Sequence, residues 1–337
     1  MHGVYLLWWV QERHVSPAAV AVVLAAGDLA LTALEVPTGW LADRYGYRAS
    51  LIFGSALQVA GMLWCWLGRG IPGLLTASLL VACGDAFRSG ADQALLYRSC
   101  LALDREADFQ AIEARTRAAT LSALVLLLVT GGAIVHRWSY AAGWILESIL
   151  SALGLCVACA MTAAPPAINV SRGEATSETT SAAPSPTQRH TAVATLAAAI
   201  APASCLGGMA VAFAFFVQTS GWADVDRATT LVGVVTLAEA AGAVLAQRVA
   251  DDMRTRLVLA GVGIGLLTMA LLHPTALIPA TVGLSFLSGA AEPLRATAIQ
   301  RLTSDNARAR AASIANACDK VVATLALIVA GSLQRRR

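Results

Sequence analysis

Several charged side chains lie inside long apolar runs of this 337-residue chain, where they could bind a solute or exchange a proton. Asp85, Arg88 and Asp92 follow the spacing i, i+3, i+7, which predicts one shared face of a helix. Arg88 can pair with either acid, so the group is either a structural cluster that neutralises itself or a site for a substrate or a proton. Charges inside hydrocarbon are costly, and such residues are functional candidates by default.

Further ionisable residues lie midway along other apolar runs. For each of them, a gate, a packing pair and direct contact with a substrate all remain open. They are Asp28, Glu239, Asp319 and Lys320.

A short polar connector at residues 39–48 separates two long apolar runs. Its sequence is Gly-Trp-Leu-Ala-Asp-Arg-Tyr-Gly-Tyr-Arg. Glycines allow neighbouring backbones to approach closely, and the charges must lie at the water boundary. We therefore predict a tight turn between two membrane helices. Its glycines are Gly39 and Gly46, and its charged residues are Asp43, Arg44 and Arg48.

The connector resembles the G-x-L-A-D-R-x-G-R-K signature of the major facilitator superfamily, with Tyr47 where the signature usually has a basic residue. The run Glu-Val-Pro-Thr-Gly at 35–39 and the run Ser-Gly-Ala-Asp-Gln-Ala-Leu-Leu-Tyr at 89–97 strengthen the resemblance. The resemblance implies two helical bundles that alternate access to a central site. It also implies that the Asp43 carboxylate pairs with arginines and with the N-terminal end of a neighbouring helix, which makes Asp43 a gate residue.

The family packs the helix that carries Asp28 against the helix that carries Lys320. Both residues lie about halfway along their predicted helices, so we expect them at similar depth and in a charge pair between the halves. Asp319 is a poor partner for Lys320, because adjacent residues lie about 100° apart around a helix. The alternatives are that Lys320 pairs with Glu239 or binds an anionic substrate directly.

Two short patterns recur in the second half of the chain. Ala42-Asp43 and Arg48 of the connector recur with the same spacing, in the form of Ala250-Asp251 and Arg256. The tripeptide Ser89-Gly90-Ala91 recurs as Ser288-Gly289-Ala290. The order of these echoes favours two parallel repeats, which is an arrangement of this superfamily. We therefore include Asp251 and Arg256 among the gate residues.

Composition excludes several classes of function. Apolar residues make up 57% of the chain and charged residues 13%, about half the charge of a soluble domain. The arginines lie in loops and not in one stripe, which argues against nucleic acid as a partner. The sequence has no P-loop, no His-Glu-x-x-His motif and no credible Ser/His/Asp set, and its seven cysteines are scattered. We expect no enzyme activity, no cofactor and no metal site.

The apolar runs predict an all-α, polytopic membrane protein with about 10–11 transmembrane helices in two bundles. A partial helix at 1–11 carries Trp8 and Trp9 as expected interfacial anchors. The N-terminal bundle is residues 1–162, the linker rich in Ala, Ser, Thr and Pro at 163–190 is expected to be disordered and cytoplasmic, and the C-terminal bundle is residues 191–337. The family has twelve helices, so we expect most of helix 1 and all of helix 12 to be missing. The predicted spans are 17–39, 49–68, 71–97, 116–136, 139–161, 191–219, 226–246, 257–272, 275–297 and 310–332.

The arginines orient the chain. With the 39–48 connector in the cytoplasm, most of the arginines in connecting segments also lie there, as the positive-inside rule requires. The interpretation is a monomeric secondary transporter in the cell inner membrane. It moves a small-molecule substrate through the lipid bilayer by alternating access and is powered by a gradient, with protons as a candidate coupling ion. The alternative is a truncated, transport-inactive paralogue that acts as a membrane interaction protein, or a gene fragment.

Overall fold

The computed structural model describes residues 8–10, 12–162, 225–249, 253–272, 277–303, 307–318 and 320–321. Throughout these ranges the regular structure is helical, without strands, so the predicted all-α class is confirmed. The predicted linker at 163–190, the predicted span at 191–219 and the candidate residues Asp251 and Asp319 lie outside the described ranges.

We call residues 8–162 the N-terminal half and residues 225–321 the C-terminal half. Helices of the N-terminal half are α1 (Pro17–Tyr45), α2 (Tyr47–Leu67), α3 (Gly70–Arg88), α4 (Ala91–Ala102), α5 (Phe109–Arg137) and α6 (Tyr140–Ala160), with a short 3-10 turn at Glu106–Asp108. Helices of the C-terminal half are α7 (Val225–Ala246), α8 (Met253–Leu272), α9 (Leu277–Leu302) and α10, whose described residues are 308–318 and 320–321.

Five described helical segments are long and apolar enough to cross a membrane. They overlap the first five predicted full spans, so the hydropathy pattern located these helices, although their ends differ. The segments are Val22–Tyr45, Tyr47–Leu67, Gly70–Ala102, Glu106–Arg137 and Tyr140–Ala160.

The helix α1 extends beyond its predicted end at residue 39. It continues to Tyr45, so Asp43 lies in the last helical turn and not in a loop. Gly46 alone joins α1 to α2, with a φ of 101° that favours glycine. The helix α1 can continue to Tyr45 because its last turns lie outside the hydrocarbon. Water solvates the charged side chains there, and the backbone keeps its helical hydrogen bonds.

The predicted span 71–97 is broken into two helices. Between α3 and α4, Gly90 adopts a φ of 75°, in the left-handed region. The shared face predicted for Asp85, Arg88 and Asp92 is therefore wrong, since that face requires one continuous helix. Asp92 instead lies in the first turn of α4.

An aromatic cluster closes the N-terminal half at the end opposite Asp43. Trp8 packs edge-to-face against Trp9 and Trp144, with ring centroids 5.3 and 5.2 Å apart. Trp9 is 1% exposed, so the two tryptophans form a packed core and the expectation of interfacial anchors is wrong. Polar residues meet instead at the opposite end of the N-terminal half, where Asp43 lies.

Candidate gate and solute site

The carboxylate of Asp43 binds the first turn of α10 in the opposite half. Its two oxygens accept hydrogen bonds from the backbone amides of Ala309, at 3.0 Å, and Arg310, at 3.1 Å. The first amides of a helix have no partner within the helix and carry a partial positive charge, so a carboxylate there is both a cap and a charge partner. This geometry matches the helix N-terminus that the signature implies as a partner of Asp43. Among the described residues, no ion pair joins Asp43 to an arginine side chain.

Two glycines allow α10 to approach the N-terminal half this closely. A Cβ added to Gly39 would lie 2.9 Å from the Cα of Arg310, and one added to Gly90 would lie 2.7 Å from the carbonyl oxygen of Ala309. The hydroxyl of Ser313 donates to the Ser89 carbonyl oxygen at 3.2 Å. The break between α3 and α4 thus offers a backbone acceptor to the opposite half.

Lys320 forms an ion pair with Glu35, a residue of α1 whose side chain is 1% exposed. Because Glu35 lies on α1 and Lys320 on α10, the pair joins the two halves. The predicted pairing of Lys320 with Asp28 is wrong in this structure: Asp28 is exposed and lies two helical turns before Glu35 on α1. The alternative partner Glu239 is also excluded here, since it pairs with Arg117.

A polar chain continues from this pair into the C-terminal half. The Ser89 hydroxyl accepts a hydrogen bond from the Asn316 side-chain amide at 2.8 Å and donates to Glu35 at 3.5 Å. Arg295 donates to Asn316 at 2.9 Å and to Glu292 at 2.5 Å. The buried charges of α9 are therefore connected to the α3–α4 break through α10.

A second contact between the halves joins α5 to α7. The side-chain amide of Gln110 donates to the carbonyl oxygens of Ala246, at 2.8 Å, and Val249, at 2.9 Å. The guanidinium of Arg115 donates to Gln247 at 3.1 Å. About two helical turns deeper, Arg117 forms an ion pair with Glu239 at 2.6 Å.

Charged and amide side chains of α4, α5 and α9 meet beside these contacts. The Gln93 side chain donates to Glu113 at 3.5 Å, and the Asp92 carboxylate accepts from the Gln93 backbone amide at 2.8 Å. Glu113 lies within electrostatic range of Asp92, Glu292 and Arg117. Within the described part of the chain, neither Asp92 nor Glu113 forms an ion pair, whereas Glu239 and Glu292 each have an arginine. This region therefore carries an excess of carboxylates.

The other signature residues lie apart from the interface. Arg44 is exposed and stacks on the rings of Trp40 and Tyr45, at 5.4 and 5.9 Å. Arg48 donates to the carbonyl oxygen of Cys159 at 2.7 Å, near the C-terminal end of α6. These contacts lie within the N-terminal half, so the structure does not bring Arg44 or Arg48 to the C-terminal half.

Asp85 and Arg88 form a half-exposed pair at 3.8 Å near the end of α3. For Arg256, the structure describes the helical backbone in α8 but not the side chain. In the described ranges, no group of three or more His, Cys, Asp or Glu residues is arranged to hold a metal ion.

Sequence reasoning missed several residues of the interface. Gln110 is not a candidate in the sequence, because the predicted span begins at residue 116 and helix α5 begins at Phe109. Arg117 lies at the start of the predicted span, where an arginine indicates only the membrane boundary. The spacing of Glu113 and Arg117, four residues apart, was an available signal for an extended helix. Ser313 and Asn316 gave no signal, since polar side chains on a helix have many uses.

Comparisons with known proteins identify the fold and the family. The family model described as Major Facilitator Superfamily matches residues 1–327. The structure of FucP, a Major Facilitator Superfamily transporter in the outward conformation, has a TM-score of 0.68 at 13% identity, over 98% of this chain and 90% of that chain. A second structure, a variant of the E. coli fucose:proton symporter FucP, has a TM-score of 0.62 at 12% identity with the same coverage of 98% and 90%. A search of curated proteins found no match. The structural likenesses show the fold, and the family match over nearly the whole length shows that this chain belongs to the Major Facilitator Superfamily, whose members are membrane transporters and not enzymes.

Proposed function

We propose that this chain is a monomeric secondary transporter of the cell inner membrane that moves a small solute by alternating access, driven by an ion gradient. The observation that carries the proposal is the polar junction between the halves at the Asp43 end. Asp43 binds the start of α10, Lys320 pairs with Glu35, and Arg117 pairs with Glu239. Polar contacts of this kind can be exchanged for water when the halves separate, at a net cost of about 1 kcal/mol for a typical hydrogen bond.

In this proposal the Asp43 end is the cytoplasmic end, and the structure is the state closed on that side. Gly39, Asp43 and Gly90 form the close contact with α10, and the ion pairs lie deeper. Arg44, Gly46 and Arg48 support the gate indirectly, by fixing the end of α1 and its turn into α2. Asp251 and Arg256 are proposed as the corresponding residues of the C-terminal half.

We place the solute or proton site in the region of excess carboxylates around Asp92 and Glu113. Its walls include Arg117 and the partners Glu239 and Glu292. Asp92 is exposed and Glu113 is partly buried, so a proton or a cation can reach this excess of negative charge, which attracts it. The fucose:proton symporter with this fold moves a proton with its solute, so a proton is the coupling ion we propose. Asp28, Asp85, Arg88, Asp319 and Lys320 remain candidates for contact with the solute on its path.

Uptake into proteoliposomes tests this function. A panel of sugars, amines, amino acids and organic acids is measured with an imposed proton gradient and again after a protonophore collapses it. We expect one class of solute to accumulate only with the gradient. Asp92→Asn is expected to lose accumulation while keeping exchange of solute across the membrane.

Asp108→Asn is the matched control for this test. Asp108 forms an exposed pair with Arg105 at 2.8 Å, outside the junction, and exposed pairs contribute about 0–1 kcal/mol. We expect its accumulation to equal that of the unmodified chain. If no solute of the panel accumulates in any protein that inserts correctly, the transport-inactive alternative is favoured.

A further inference from the structure

Gln110 lies in the first turn of α5, at the Asp43 end, and its side-chain amide contacts the opposite half. Its nitrogen donates to two carbonyl oxygens, that of Ala246 at 2.8 Å and that of Val249 at 2.9 Å. Ala246 is the last residue of α7. The carbonyl groups at the end of a helix have no partner within that helix, and they carry a partial negative charge that a donor stabilises.

We propose that Gln110 is a latch that selects the state closed at the Asp43 end, and that it acts in parallel with Asp43. The two residues satisfy opposite ends of two helices in the C-terminal half. Asp43 supplies acceptors to the amides that begin α10, and Gln110 supplies a donor to the carbonyl group of Ala246, which ends α7, and to that of Val249, three residues beyond it. Each side chain has the polarity that its helix end requires.

Both hydrogen bonds of Gln110 depend on contact between the halves. The donor and its acceptors lie on α5 and at the end of α7, so separation of the halves at this end breaks the two bonds together. A neutral amide suits a contact that must open, because it binds the carbonyl groups without adding a charge. A cation would bind the negative helix end more strongly, and a carboxylate would be repelled and could not donate.

This reasoning predicts a graded series at one position. The closed state is expected to become more populated in the order Gln110→Glu, Gln110→Leu, the unmodified chain, Gln110→Lys. Glutamate removes the donor and adds repulsion, and leucine removes the donor at similar size. Lysine keeps a donor and adds favourable charge.

Cys100 gives a thiol readout of this equilibrium. It is 4% exposed and packs in one apolar cluster with Tyr97 and Phe109 of its own half and with Ala296 of the opposite half. Opening at the Asp43 end uncovers this cluster. The test uses the full-length protein in inside-out membrane vesicles and a membrane-impermeant maleimide, with Cys100 as the sole cysteine. The six cysteines to be replaced are Cys65, Cys83, Cys156, Cys159, Cys205 and Cys318.

We expect Cys100 to be labelled about five-fold faster or more in Gln110→Glu and Gln110→Leu, since couplings between conformational states typically change populations by roughly five- to 150-fold. Gln110→Lys is expected to be labelled more slowly than the unmodified chain. A variant that folds poorly exposes its thiols and cannot show slower labelling, so the lysine variant separates a latch from a folding defect.

Thr116→Ala is the control on the same helix. Thr116 is exposed, and its hydroxyl donates to the Ile112 carbonyl oxygen at 3.0 Å within α5. It should label at the unmodified rate. Equal labelling of the glutamate, leucine and unmodified proteins, or faster labelling of the lysine variant, would overturn the latch.

The latch rests on the proposed alternating access, but the two fail separately. Thiol labelling requires no solute, so the series can hold while every uptake measurement is null, and that result would reject transport alone. Uptake driven by a proton gradient together with a flat labelling series would reject the latch alone.

Discussion

The ammonium group of Lys320 pairs with the carboxylate of Glu35, and this pair links α10 of the C-terminal half to α1 of the N-terminal half. The Glu35 side chain is 1% exposed and that of Lys320 is 35% exposed. Glu35 lies ten residues before the end of α1, or about 15 Å, so the pair lies well inside the junction. It is a deep contact between the halves, below the cap that Asp43 makes at the surface.

Replacing Lys320 by methionine should destabilise the closed state. The change leaves the Glu35 carboxylate buried without its cation, and loss of one partner from a buried pair typically costs about 3–5 kcal/mol. We expect a cost near the lower end of that range, because Lys320 is partly exposed. Thermal unfolding in detergent and the labelling rate of Cys100 measure the two consequences.

The double variant Glu35→Gln with Lys320→Met should recover much of the lost stability, since no buried charge remains unpaired. Asp28→Asn is the control on α1: Asp28 is exposed, and surface substitutions usually change stability by less than about 0.5 kcal/mol. A larger loss in Asp28→Asn than in Lys320→Met would contradict the pairing described here.

The difference between the predicted and the observed partner of Lys320 has a physical origin. Hydropathy marks the part of a helix that lies in hydrocarbon, and a depth estimated from that part alone places Asp28 at the midpoint of α1. The helix in fact continues to Tyr45, which moves its midpoint towards Glu35. The spacing along the chain also cannot show which face of α1 meets α10, because that choice is made by packing around Gly39.

Removing the Asp43 carboxylate should release the start of α10. Asp43→Ala leaves the amides of Ala309 and Arg310 without their acceptors, and loss of a helix cap costs about 0.5–2 kcal/mol. Hydrogen exchange at these two amides should accelerate, and transport should fall. Asp43→Asn keeps one acceptor oxygen without the charge, so it should be intermediate in both measurements.

An Asp43→Ala protein with unchanged exchange at residues 309 and 310 would show that the cap does not limit opening.

The carboxylate was found from its signature, and the signature also implied a helix N-terminus as its partner. The complementary contact at Gln110 has no such pattern, since a glutamine at the start of a helix is common and its acceptors are backbone atoms of another segment.

Orientation can be tested at two exposed positions on either side of α5. Ala107 lies in the turn before α5, and Trp138, which is 70% exposed, lies directly after it. The 29 residues of α5 span about 44 Å, which exceeds the hydrocarbon core of a bilayer. Single cysteines at 107 and 138 should react with an impermeant maleimide only from the cytoplasm and only from outside, respectively. Reaction of both from one side would rule out α5 as a spanning helix.

One tripeptide shows how tertiary contacts decide local structure in this chain. Ser89-Gly90-Ala91 ends one helix and begins another, whereas Ser288-Gly289-Ala290 lies within the continuous helix α9. The sequence is therefore compatible with a helix, and local preference does not dictate the break. At Ser89-Gly90-Ala91, where the helix is interrupted, the Ser89 carbonyl oxygen accepts a hydrogen bond from the hydroxyl of Ser313 in α10. Sequence reasoning identified the repeat but could not distinguish the two conformations.

Gly90→Ala should therefore weaken the closed state selectively. Gly90 has a φ of 75°, where a residue with a Cβ costs about 1–2 kcal/mol, and the added Cβ would lie 2.7 Å from the Ala309 carbonyl oxygen. Both effects act on the contact with α10, so we expect faster labelling of Cys100 and slower transport. Gly132→Ala is the matched control, because in the described part of the chain its added Cβ meets no atom within 4 Å apart from the backbone of its own helix, and alanine favours a helix by roughly 0.5–1 kcal/mol. Labelling of Gly90→Ala at the rate of Gly132→Ala would show that the contact of Gly90 with α10 does not stabilise the closed state.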